Sequence, residues 1–130
     1  LQALADTGGM MGFSLYPHHL KNGSACSLAE FSDMAAGLVD QYRGDMFGIG
    51  SDLCQGQPDS VVNWMRNGHW RKVPGPAAQF PDCPTWFENN THFPGLGQGL
   101  SGAGLSTEAV QGILGQNWLN FFEAGFTSGG

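Results

Sequence analysis

The stretch FGIGSDLCQG, Phe47 to Gly56, decides how the rest of the chain is read. An apolar, glycine-spaced run delivers an aspartate, Asp52, and then breaks at Cys54, Gln55 and Gly56. Met46–Ser51 has the length and composition of a buried strand. An acid at the end of such a strand is expensive unless it caps a turn, pairs with a cation or does chemistry. Which of these holds depends on what lies on either side.

Upstream, Met10–Tyr16 (MMGFSLY) is a second short apolar run, closed by Pro17, and also reads as a buried strand. Between the two runs lies the clearest helix of the chain. Ser27 followed by Glu30 is a capping box, in which each side chain satisfies a free backbone N–H. Leu28, Phe31, Met34, Ala35, Leu38, Val39 and Tyr42 then recur at helical spacing and make one apolar face, with Gly44 as a left-handed stop. Strand, amphipathic helix and strand form a βαβ unit. Both strands are apolar throughout, as in a parallel sheet covered on both faces. Two such strands are not a stable domain by themselves.

Outward from this unit, Leu1–Ala5 reads as the end of a helix stopped by Gly8 and Gly9. Residues 53–105 form a long segment rich in Pro, Gly and Trp, with one short helix capped by Ser60 and with Trp64, Trp70 and Trp86 as aromatic anchors. Residues 106–130 are helical: Ser106 caps STEAVQGIL, Gly115 ends it, and Asn117 caps WLNFFEAG. The organisation expected is thus one segment in three parts: 1–52, 53–105 and 106–130.

Composition narrows the function classes. The 130 residues carry a net charge of −6 with five Lys and Arg, which argues against nucleic acid or an anionic membrane as partner. Charged residues are only 12%, while 41% are hydrophobic. That surface is poor in charge for a freestanding domain and suits a chain lying against other protein. No apolar run is long enough to span a membrane. Cys26, Cys54 and Cys83 are odd in number and lack CxxC spacing, so the expectation is reduced, mostly buried thiols in a reducing, cytoplasmic setting. NGS at 22–24 and NNT at 89–91 match a glycosylation pattern short enough to recur by chance. A chain that starts at Leu1 inside a helical run is expected to be a piece of something longer.

In an α/β barrel the chemistry sits at the C-terminal ends of the strands, where Asp52 stands. GIGSD at 48–52 resembles the last-strand signature of the renal (membrane) dipeptidase family of zinc peptidases. GGMMGFSLYP at 8–17 looks like that family's penultimate strand, SLAEFSDMAAGLVDQYRGD at 27–45 like the connecting helix, and ILGQNWLNFFE at 113–123 like its C-terminal segment. The resemblance implies the last two βα units and C-terminal helices of a metallo-dependent hydrolase-type (β/α)8 (TIM) barrel, incomplete in this chain. It implies a two-zinc site at which a metal-activated water cleaves dipeptides. Asp52 would accept a proton from that water and hold the substrate's amino group. The family's metal ligands and its carboxylate-gripping Arg lie in earlier segments, so the partner expected is the remainder of the barrel or a chain carrying those ligands; homodimers are common in the family. Two positions depart from it: Cys54 stands where a second acid is usual, and Asn120 where an Arg is usual.

Tyr16, His18 and His19, just beyond the first strand, are the substrate-pocket candidates beside Asp52; no residue here is assigned as a metal ligand. His69 and His92 lack ligand spacing and read as structural or surface groups. Cys54 reads as non-catalytic, because a neighbouring carboxylate disfavours a thiolate. Three other readings stay open: a non-catalytic small subunit with a structural role, one chain of a split enzyme, and a barrel remnant that binds without chemistry.

Overall fold

A computed structural model describes residues 1–127. It is a mixed α/β arrangement around one parallel strand pair, β1 (Met11–Ser14) and β2 (Phe47–Gly50), with Met11 opposite Phe47 and Ser14 opposite Gly50. Helix α1 (Gln2–Asp6) precedes β1, and Gly8 at φ +71° turns the chain out of it. Helix α2 (Leu28–Gln41) joins the strands and starts at the expected capping box: Ser27 Oγ accepts from Glu30 N, and Glu30 accepts from Ser27 N at 2.9 Å. The helix does not end in a left-handed glycine. Tyr42 leaves it in extended backbone, and Gly44 opens a short 3-10 turn, Gly44–Met46, that feeds β2.

One face of the strand pair carries the core. The rings of Phe13 and Phe47 stack at 5.0 Å, and Phe31 of α2 meets Phe13 edge-on at 6.1 Å. Each such pair contributes about 0.5–1.5 kcal/mol beyond its buried area. The other face is glycine: Gly12 and Gly48 leave a flat floor on which the Trp118 indole lies, and a methyl group on Gly48 would overlap that ring. Trp118 Nε1 donates to Ile49 O at 3.1 Å, and Asn117 Nδ2 donates to Gly44 O and Phe47 O. The glycine spacing of GIG therefore serves packing by the C-terminal helix.

The segment 53–105 is more regular than the sequence suggests. Its first helix, α3 (Asp59–Asn67), begins after Pro58, so Ser60 lies inside the first turn and is not the cap. A second helix, α4 (Phe93–Gly102), occupies what reads as loop. Leu96 and Leu100 of α4 are fully buried against α2, and Gly99 sits so close to Leu28 and Ser32 that a β-carbon there would collide with both. Ser32 Oγ, buried in that contact, has no hydrogen-bond partner among the described residues. Trp86 is an anchor as expected: its ring packs on Phe31 at 5.4 Å and its Nε1 donates to Cys26 O at 2.7 Å. Trp64 and Trp70 are not. They are 59% and 56% exposed and pack edge-on against each other.

Helix α5 (Thr107–Gln111) is capped by Ser106, whose Oγ accepts from Ala109 N. A wide π turn, Gly112–Gln116, kinked at Gly115, leads into α6 (Asn117–Thr127). Asn117 is not a cap; its amide is spent on Gly44 O in the turn before β2 and on Phe47 O in the strand. Among the described residues no helix is long and apolar enough to cross a membrane.

Candidate functional site at the C-terminal ends of the strands

Both strands point their C-terminal ends to the same side. Beyond β1 the chain makes a 3-10 turn, Pro17–His19, and beyond β2 it reaches Asp52. Asp52 is at φ +52°; it and Asn22 are the two non-glycine residues with positive φ among those described. Asp is better tolerated there than most residues, but the left-handed conformation still costs about 1 kcal/mol. The strain turns the chain abruptly and leaves the Asp52 carboxylate exposed, so no desolvation penalty arises. The carboxylate caps nothing: within the described residues it has no hydrogen bond or ion pair, and only its backbone carbonyl is approached, by Cys54 Sγ at 3.8 Å.

Opposite Asp52, Tyr16 lies between the two histidines, with ring centroids 5.3 Å from His18 and 5.4 Å from His19. His19 Nδ1 is 2.8 Å from Ser14 Oγ, and that oxygen also accepts from Tyr16 N at 3.2 Å. This pair fixes the imidazole's orientation whichever nitrogen carries the proton. Tyr16, His19 and Asp52 share one open groove of about 440 Å³ with Val62, Arg66 and Phe80. Three of the four sequence-derived candidates are thus brought together; His18 stays outside the groove.

The groove's far wall was not legible beforehand. Val62 and Arg66 lie one turn apart on α3, and Arg66 is an unpaired cation among the described residues, where Arg43–Asp45 is the ion pair formed. Phe80 is placed by a polar ladder on the same helix. Asp59 Oδ1 accepts from Phe80 N at 3.0 Å, Asn63 Oδ1 from Ala78 N at 3.2 Å, and Asn67 Oδ1 from Gly75 N at 2.7 Å. Residues 59, 63 and 67 repeat every four positions, so one stripe of α3 holds an irregular strand of chain by its N–H groups. That spacing was the available signal, hidden in a segment that looks like loop.

The cysteines differ from expectation. Only Cys26 is buried; Cys54 is exposed and Cys83 half-buried. Burial, then the nearby charges of Glu88, Cys54 and Asp82, push the Cys83 thiol up. Burial and then Glu30 do the same to Cys26. His92 is structural, its Nδ1 accepting from Glu88 N at 3.1 Å. Among the described residues no group of three or more His, Cys, Asp or Glu is placed to hold a metal ion, so these residues do not by themselves fit a zinc site.

No family model matches the chain, and no curated protein does. Among solved structures, the chain is similar to an amidohydrolase from Pseudomonas aeruginosa, at 23% identity with a TM-score of 0.73. The match takes in 91% of this chain and 36% of that one, so the chain spans about a third of that protein's length. The fold of these residues, a parallel strand pair with its flanking helices, is similar to that of part of this neighbour.

Proposed function

We propose that the chain is the C-terminal part of a zinc-dependent dipeptidase of the renal dipeptidase type, supplying the last two strands of a (β/α)8 barrel. The observation that carries this reading is Asp52: an exposed, unpartnered carboxylate held in a strained backbone at the C-terminal end of a parallel strand. Capping and ion pairing would each have given it a partner. Being neither a cap nor half of an ion pair, it is free to act on a bound molecule. In this reading Asp52 takes a proton from the attacking water and holds the α-ammonium group of the dipeptide. His19 and Tyr16 border the bound peptide across the groove. The ligands of the two zinc ions belong to segments outside these 130 residues, and the chain alone is inactive.

A second reading draws on α6, where Leu119, Phe121, Phe122 and Phe126 are all exposed. A non-catalytic small subunit that docks through this face would show the same feature. The experiment that separates the two is the zinc content and dipeptide-hydrolysing activity of the natively purified assembly. About two zinc ions per assembly together with hydrolysis support the dipeptidase. A zinc-free assembly without hydrolysis leaves the subunit.

A further inference from the structure

Two of the three thiols border one small cavity beside the groove, and Cys54 also lines the groove itself. Cys54 and Cys83 both line one small cavity of about 80 Å³, together with Asp52, Leu53, Phe80 and Phe87. They are 29 positions apart in sequence, and everything between them is α3 and the strand of chain pinned to it. Cys83 is held from both sides. Asp59 fixes Phe80 before it, and Ser24 Oγ donates to the carbonyl of Asp82 next to it. Trp86, bonded to Cys26 O, anchors the chain beyond. Cys54 lies on the exposed turn that Gly56 closes at φ +68°. A half-buried thiol held by its neighbours and an exposed one on a turn therefore border the same small cavity. The third cysteine has no access to either, since Cys26 is 3% exposed and its Sγ is turned toward Ser27 O.

We propose that Cys54 and Cys83 form a reversible disulfide that clamps the outer wall of the groove to the strand end carrying Asp52. Two S–H bonds break and one S–S bond forms. The two electrons pass to a low-molecular-weight disulfide such as oxidised glutathione, which leaves as two thiols carrying the two protons. Cys54, the exposed thiol, reaches the oxidant first and gives a mixed disulfide with release of one glutathione thiol; Cys83 then displaces the second. Cys83 is half-buried and its thiol is pushed up by burial, so it suits the resolving role, while the exposed Cys54 meets the oxidant first. Closing the ring encloses α3 entirely, so Val62, Arg66 and Phe80 can no longer swing away from Asp52. The odd cysteine count, which argues against a structural disulfide framework, is compatible with one bridge and one buried free thiol. The inference is independent of the dipeptidase reading, because it rests on the thiols and the chain between them.

The test is to equilibrate the native protein with oxidised glutathione, block remaining thiols with iodoacetamide, and map the tryptic peptides without reduction. Cleavage after Arg66, Arg71 and Lys72 puts the two cysteines on different peptides. The expected result is a linked Cys54–Cys83 peptide pair, reversed by dithiothreitol, with Cys26 alkylated only after unfolding. Cys26→Ala leaves the linkage intact, and Cys83→Ser leaves Cys54 as a persistent glutathione adduct. Alkylation of both Cys54 and Cys83, a stable glutathione adduct on each, or a bridge to Cys26 would overturn the proposal.

Discussion

Asp52 combines a cost with an unused group. Its positive φ is unfavourable for an L-residue with a side chain, and its carboxylate makes no contact that offsets it. Replacing it by glycine, which adopts that backbone freely, should therefore stabilise the fold by about 0.5–1 kcal/mol. Asp52→Ala, with no local polar group to favour the left-handed region, should destabilise it by a comparable amount. Urea unfolding of the three forms side by side measures both. The position itself was legible, because an acid ending an apolar strand stands out in FGIGSD. Tyr16 and His19 were legible as neighbours of the other strand end. Arg66, Val62 and Phe80 were not, since the 59/63/67 spacing marks the helix and the chain pinned to it but not which way α3 turns after the strand.

Among the elements, the βαβ unit was readable because its signals are local: two apolar runs, a capping box and one apolar stripe. Helix α4 was not. FPGLGQGLSG carries four glycines, each costing about 1 kcal/mol of intrinsic helix stability relative to alanine. Tertiary contact outweighs this, because Gly99 lets α4 approach Leu28 and Ser32 of α2. The C-terminal helix shows the same economy, with Trp118 lying on Gly12 and Gly48. Gly48→Ala should displace that indole, break its bond to Ile49 O and cost about 1–3 kcal/mol. A change in Trp118 fluorescence alone is ambiguous beside three other tryptophans, so the unfolding midpoint is the readout. Helix α2 gives a pH prediction. Backbone and side-chain hydrogen bonds from Ser27 hold Glu30 below the usual glutamate range. A depressed folded value means that the capping box stabilises above the ordinary pKa of about 4.3 and that this stabilisation is lost as pH falls through the lower folded value. Glu30→Gln keeps an acceptor for Ser27 N and Ser27 Oγ without titrating, so its urea midpoint should fall less between pH 5 and pH 3 (roughly the window set by the unfolded pKa and the lower folded one) than that of the parent.

The described residues leave apolar surface uncovered. Two parallel strands leave open sheet edges, and α6 exposes Leu119, Phe121, Phe122 and Phe126 along one helix. Such a stripe on a chain with few charges needs a cover. The isolated 130-residue chain should self-associate with rising concentration, and Phe122→Ser with Phe126→Ser should shift it toward the monomer in sedimentation. Low charge was the clue in the sequence; which face is left bare required the fold, because Trp118 of the same aromatic run turns inward while Phe122 and Phe126 do not.

The central claim is that Asp52 acts on a dipeptide, and Asp52→Asn in the native assembly tests it most directly. Asparagine keeps the size and tolerates the same backbone, so folding and metal content should be unchanged. The account predicts a fall in kcat for dipeptide hydrolysis of about 10²-fold or more. Hydrolysis at the parent rate by a folded Asp52→Asn assembly would contradict it and return Asp52 to a structural position at the end of a strand.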